Sequence, residues 1–293
     1  PGACASGLEN GWDNFELISF QPMIFGDLQD MSHRWMDVSD LSFNNLLLLE
    51  QVQLSWLPGW LPEGELQIAL KANPVVEWYI RHKCPQLNEW LDRLISSSAS
   101  DKHYSATEIR ESEVKILLSM MDFMVYALDP SVYDAQPFLN WDSTELLALV
   151  DFTGKTVIDI GTGTGRLALT VADTARFVFA IEPVASLRAY LKEKTRAQQI
   201  GNVYVSDGLI TDIPFPDQFA DITMGGHVFG ADLNEEYNEM MRVTKSGGLI
   251  ILCPGNNDMD NDVHQFLVSH GFEWSRFNEP QDGVKRKYWK TVE

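Results

Sequence analysis

The sequence predicts an α/β protein, a mostly parallel sheet with helices on both faces, preceded by a mostly helical N-terminal region. Three observations carry this. From about Asp142 onward, short apolar runs alternate with stretches of helical periodicity. The first 140 residues hold six of the nine tryptophans and long segments of 3.6-residue period, with no convincing strand alternation. Between the two regions, in "LDPSVYDAQPFLNWDSTE", Pro130 and Pro137 interrupt helix. The expected organisation is a mostly helical domain over 1–140 and an α/β domain over 141–293.

In the first region, "DLSFNNLLLLEQVQLSWL" and "ASDKHYSATEIRESEVKILLSMMDFMVYAL" read as helices. The prolines and glycines of "WLPGWLPEG", Trp56 to Gly64, place a turn between helices. Asp142 reads as the N-cap of a new helix, with Glu145 as its capping-box partner. Strands are expected at Thr156–Ile160, Phe177–Glu182, Val203–Ser206, Asp221–Met224 and Leu249–Leu252. Helices are expected to start near Arg166, Val184 and Asn234. A further helix over about Asn261–His270 is followed by "GFEWSRF" and "KRKYWKTV", which read as an antiparallel hairpin at the sheet edge.

The formal charge of −20 is shared by both regions: residues 1–140 carry 8 basic and 20 acidic side chains, and residues 141–293 carry 14 and 22. Phosphate backbones select positive surfaces, so nucleic acid is not an expected partner. No apolar run approaches the ~18 residues of a membrane span. Cys4, Cys84 and Cys253 are too far apart to form a metal motif, and they suggest buried thiols in a reducing cytoplasm. Asp258, Asp260 and Asp262 fall at calcium-loop spacing, but Val263 and Ser269 occupy the positions that should be Gly and Glu, so an acidic first helical turn is expected and no metal. Trp56 and Trp60 are expected in core packing rather than in a pocket lining or at a membrane.

"VIDIGTGTGRLALT" carries the chemistry. Gly161, Gly163 and Gly165 bring backbone without Cβ atoms to the end of a strand, where a ligand can approach closely. A P-loop would require Gly-Lys-Ser/Thr, whereas Gly165 is followed by Arg166-Leu167. The nicotinamide fingerprint GxGxxG requires glycine where Arg166 stands. Glu182 closes the second strand, 17 residues after Gly165, where a carboxylate can accept both hydroxyls of a ribose. Asp207 closes the third, where it can accept from an exocyclic amine of adenine while Gly208 leaves room for the ring.

With "AIEP", "SDGLITDIPFPDQFADI" and "MMRVTKSGGLIIL" following in order, residues from about 130 to the end resemble a class I S-adenosylmethionine-dependent methyltransferase. The resemblance implies a Rossmann-like sheet of seven strands, the last antiparallel, and S-adenosyl-L-methionine as cofactor. It implies that Asp159, Gly161, Thr162, Gly163 and Gly165 hold the methionine moiety, Glu182 and Pro183 the ribose side, and Asp207 with Gly208 the adenine. Gly225, Gly226 and His227, after the fourth strand, would close over the methionine end. His227 would serve either as a general base or as a shaper of the pocket through its backbone. Tyr133 lies in a segment that in such proteins packs over the cofactor, and it reads equally as a core tyrosine.

The expected function is methyl transfer by in-line displacement to an acceptor chosen by the N-terminal domain: a small molecule first, a protein second. Residues 1–140 would then be a cap or substrate-recognition domain, long enough to carry a homodimer contact as well, and residues 141–293 the cofactor-binding domain. The alternatives are an NAD(P)-dependent oxidoreductase and a non-catalytic S-adenosylmethionine-binding protein.

Overall fold

The computed structural model describes residues 36–96, 103–279 and 283–293. Cys4, the start of the second long helical stretch and the tip of the C-terminal hairpin at 280–282 lie outside the described residues. The helices are α1 (Gln51–Ser55), α2 (Glu63–Ala72), α3 (Pro74–Lys83), α4 (Asn88–Ser96), α5 (Ala106–Ser119), α6 (Met121–Leu128), α7 (Pro130–Asp134) and α8 (Thr144–Leu147). There follow β1 (Thr156–Ile160), α9 (Arg166–Ala172), β2 (Phe177–Ile181), α10 (Ala185–Ala197), β3 (Val203–Ser206), β4 (Ala220–Gly225), α11 (Leu233–Val243), β5 (Thr244–Asn257), α12 (Asp262–Ser269), β6 (Glu273–Glu279) and β7 (Gly283–Thr291).

The seven strands form one sheet in the order β3-β2-β1-β4-β5-β7-β6. Strands β1 to β5 run parallel, and β7 inserts antiparallel between β5 and β6. The expected hairpin is present, with β6 as the edge. Period-two alternation assigns the faces. Val157 joins Leu167, Val171, Leu191 and Met224 in one core, and Ile158 and Ile160 join Met240, Val243 and Leu267 in the other. Chain direction through the sheet changes sides between β1 and β4. In open α/β sheets that point leaves a crevice beyond the strands' carboxyl ends.

The N-terminal helices bury a third core, running from Val38 to Met124. Trp56 and Trp60 pack on Phe123 with ring centres 5.2 and 5.6 Å away, and Trp60 Nε1 donates to Ser119 O at 2.8 Å, so both serve this core. Two expectations require correction. The long first segment breaks after a 3-10 turn over Phe43–Leu48, because Glu50 and Gln53 form a capping box that starts α1 afresh. The Asp142–Glu145 capping box does not form: Ser143 is the N-cap of α8, Asp142 accepts from Thr144 N at 2.9 Å, and Glu145 instead takes Lys287 Nζ at 2.7 Å. A buried lysine from β7 competes more strongly for that carboxylate than a helix amide does.

The helical region docks on the sheet through α10. Ser186 Oγ donates to Tyr126 O at 2.6 Å, Tyr190 Oη donates to Asp134 at 2.8 Å, and Lys194 Nζ pairs with the same carboxylate at 2.8 Å. Cys84 and Cys253 are buried free thiols, with burial pushing their pKa up to about 11 and about 12. Asp258 and Asp260 pair with Arg286 at 2.8 Å each, and the described residues contain no metal-binding cluster. No helix among the described residues is long and apolar enough to cross a membrane.

Candidate active site

At the carboxyl end of β1, the glycine loop turns through residues that only glycine accommodates easily. Gly165 has φ +90°, and a Cβ there would be driven into Leu191 Cδ1 of α10. Asp159, the fourth residue of β1, is fully buried beneath this loop. Its Oδ2 accepts from Thr162 Oγ1 at 2.6 Å and from Ala168 N at 2.9 Å, which fastens the loop to the first turn of α9. Its Oδ1 is buried with no hydrogen-bond partner among the described residues. A buried acceptor in that state is costly unless a ligand supplies the donor.

Glu182 follows β2 and is 5% exposed. Oε2 accepts from Gly163 N and Oε1 from Val184 N, both at 2.9 Å. A carboxylate has about four lone-pair positions. The two amides fix its plane and leave one position on each oxygen, the number a ribose diol requires. Pro183, between Glu182 and Val184, lets the chain leave the strand at this bend. Tyr133 of α7 stands over the loop. A Cβ on Gly163 would lie 3.5 Å from its ring, and Tyr126 packs against it edge-on at 4.8 Å. Both hydroxyls are raised above the usual tyrosine range, by burial first, then for Tyr133 by Glu182 and for Tyr126 by Tyr133 ahead of Asp122 and Glu182.

Asp207, directly after β3, is mostly exposed, and its carboxylate pairs with Arg188 Nη1 at 2.9 Å. The same Nη1 donates to Glu182 O at 2.7 Å, so one arginine ties together the ends of β2 and β3. The room expected at Gly208 for a ring is instead filled by the protein: a Cβ there would meet Pro214 and Ile181, so the glycine serves this packing. An exposed ion pair of this kind is worth ~0.2–1 kcal/mol, so adenine could displace it cheaply.

Gly225 pairs in register with Ile160, which sets the 225–228 turn beside the glycine loop. A Cβ on Gly161 would meet Val228, and one on Gly226 would meet Cys253 O and Leu167. His227 follows with φ +55°, a conformation uncommon for a residue with a Cβ. Its N donates to Pro254 O at 2.9 Å, and its Nε2 lies 3.3 Å from Glu279 Oε1.

The glycine loop, Asp159, Glu182, Tyr133 and the 225–227 turn therefore gather at the carboxyl ends of β1, β2 and β4. Asp207 and Gly208 follow β3, one strand further out. Sequence reading missed three participants. Arg188 could have been suspected from its place in the first turn of α10, six residues after Glu182. Tyr126 and Glu279 carried no local signal, because only the docking of α6 and the edge strand brings them here.

Burial raises Asp159 and Glu182 to a pKa of about 7 each. The folded ligand-free protein therefore binds these protons more tightly than the unfolded chain. The resulting stability is fully present below the unfolded values near pH 4 and is lost as pH rises to 7. Glu182→Gln should flatten the fall in stability between pH 4.5 and 7.5 by roughly 3 kcal/mol, at 1.36 kcal/mol per pKa unit. Urea melts across that range, identical in slope for wild type and variant, would contradict the assignment.

The profile of the family described as Methyltransferase domain matches residues 158–252. An uncharacterized methyltransferase of Anoxybacillus flavithermus (strain DSM 21510 / WK1) is 24% identical over 183 residues, covering 60% of this chain and 83% of its own. One from Staphylococcus carnosus (strain TM300) is 34% identical over 119 residues, 39% of this chain and 54% of its own. A crystal structure of a SAM-dependent methyltransferase from Aquifex aeolicus is 19% identical, covers 55% of this chain and 97% of its own, and superposes with a TM-score of 0.44.

Proposed function

We propose, on the premise that this chain belongs through its C-terminal region to the class I S-adenosylmethionine-dependent methyltransferases, that its acceptor is a small molecule selected by the N-terminal helices. The observation that supports the reading most is the convergence on one crevice of bare glycine backbone, a plane-fixed buried carboxylate and a roof of tyrosines from α6 and α7. Asp159 Oδ1 suits an amino group, and the free lone pairs of Glu182 suit two adjacent hydroxyls. Asp207, joined to the end of β2 through Arg188, suits the amine of an amino-substituted ring.

The cofactor supplies a methyl group already activated on a sulfonium, so the protein has little covalent chemistry to perform. What its residues contribute is alignment and exclusion of water, worth up to ~7–11 kcal/mol of barrier when the geometry is right. Tyr133 and Tyr126 close the crevice from the helical side. His227 stands beside the loop as the group able to take a proton from the acceptor. Acidic charge in both regions disfavours nucleic acid acceptors, and the two buried unpaired thiols suit a reducing cytoplasm.

The acceptor class is tested by incubating the protein with methyl-labelled S-adenosylmethionine and a fractionated cell extract. Label in the low-molecular-weight fraction is the expected result. Label confined to the protein fraction would replace the proposal with protein methylation.

A further inference from the structure

His227 faces a buried charged pair that the binding of an adenosyl group does not use. The side chain of Glu279, the last residue of β6, is wholly buried, and its Oε1 lies 3.3 Å from His227 Nε2. Its Oε2 makes no hydrogen bond among the described residues and faces Lys285 Nζ of β7 at 3.6 Å. Lys285 is 1% exposed, and its ammonium is held by Asn257 Oδ1 at 2.5 Å.

A buried ion pair is a poor stabiliser. Two well-packed apolar side chains of the same volume commonly serve a fold as well or better. Keeping one here, against a histidine held at positive φ beside the glycine loop, needs another reason. The groups around the imidazole are few. Glu279 of β6 is the one whose contact with the ring is direct, and Lys285 of β7 stands behind it. Glu279 is thereby held between the imidazole on one side and the Lys285 ammonium on the other. Lys287 and Glu145 pair with each other behind Cys253.

We infer that Glu279 is a positioning residue: it holds His227 as the Nε2–H tautomer and leaves Nδ1 as the free, basic nitrogen facing the acceptor. An ionised carboxylate can only accept, so Nε2 must donate to it, and the lone pair is then on Nδ1. Lys285 offsets the carboxylate's charge from the far side. The inference rests on the methyltransferase reading and narrows it to acceptors that carry a proton on the attacking atom. During transfer that proton passes to Nδ1, and the electron pair it leaves forms the bond to the methyl carbon. The carbon–sulfur pair departs on sulfur, and the imidazolium so formed is stabilised by Glu279.

The test is nitrogen NMR of protein labelled with 15N-histidine, with the His227 signals assigned by their loss in His227→Gln. In wild type at a pH where the ring is neutral, a single Nε2–H tautomer is expected. In Glu279→Gln the nitrogen shifts should move toward the average of a tautomer mixture, while titration with S-adenosylhomocysteine gives the same affinity within about twofold. A wild-type Nδ1–H tautomer, or identical shifts in wild type and Glu279→Gln, would overturn the inference. If Glu279→Gln does not fold, the wild-type tautomer alone decides. Failure of wild type to bind S-adenosylhomocysteine would count against the methyltransferase site itself and leaves the tautomer result to judge Glu279 separately.

Discussion

Glu182→Ala should weaken binding of S-adenosylhomocysteine by about 1–3 kcal/mol, through loss of the partner for a buried diol. It should also destabilise the ligand-free protein. Gly163 N and Val184 N both donate to this carboxylate, and truncation of Glu182, itself 5% exposed, leaves two amides without an acceptor. Each such orphan costs on the order of 1 kcal/mol or more. Asp207→Ala provides the contrast. Its carboxylate is mostly exposed and is already satisfied by Arg188, so its loss should cost less affinity than that of Glu182 and leave the melting temperature unchanged. Calorimetric titration and thermal melts of both variants measure the two effects. An Asp207→Ala penalty equal to or above that of Glu182→Ala would mean that the buried carboxylate is not the main grip on the ligand.

The second large effect is expected at Gly165. Gly165→Ala places a methyl group against Leu191 and Leu169 at a φ of +90°. Overpacking alone typically costs ~1–3 kcal/mol, and the left-handed backbone adds ~1–2 kcal/mol for a residue with a Cβ. The denaturation midpoint should fall accordingly, and the damage should spread to ligand binding because α10 and the glycine loop share this contact. Gly201→Ala is a suitable control, since a Cβ there meets nothing within 4 Å. Equal stability for the two variants would refute the claim that the loop is closed by packing on α10.

Much of this arrangement was legible in the chain. β1 and β3 span the residues expected from their apolar runs, β2 stops one residue earlier, and β4 runs one residue further at each end. Such strands are buried on both faces, so composition alone marks them. β5 was underestimated as Leu249–Leu252, because its continuation to Asn257 depends on β7, whose Lys285 and Arg286 pair with Asn257 and Asn256. That information lies 30 residues away and has no local trace. The same holds at α8, where Lys287 takes the carboxylate that local capping rules assign to the helix. The glycines, Glu182 and Asp207 could be placed because the chemistry of a nucleoside ligand fixes them at strand ends. Glu279 could not, since an acid near the end of an edge strand reads as solvated surface until the sheet closes over it. A break at Met120 between α5 and α6 was equally silent, with neither proline nor glycine to announce it.

The central claim is that the β1/β4 crevice holds an adenosyl sulfonium through main chain and Glu182. Isothermal titration of the wild-type protein with S-adenosylhomocysteine, alongside NAD as a second ligand, addresses it most directly. Saturable binding of one S-adenosylhomocysteine per chain, with no heat from NAD, is the result predicted. Heat from NAD alone, or from neither compound, would contradict the account.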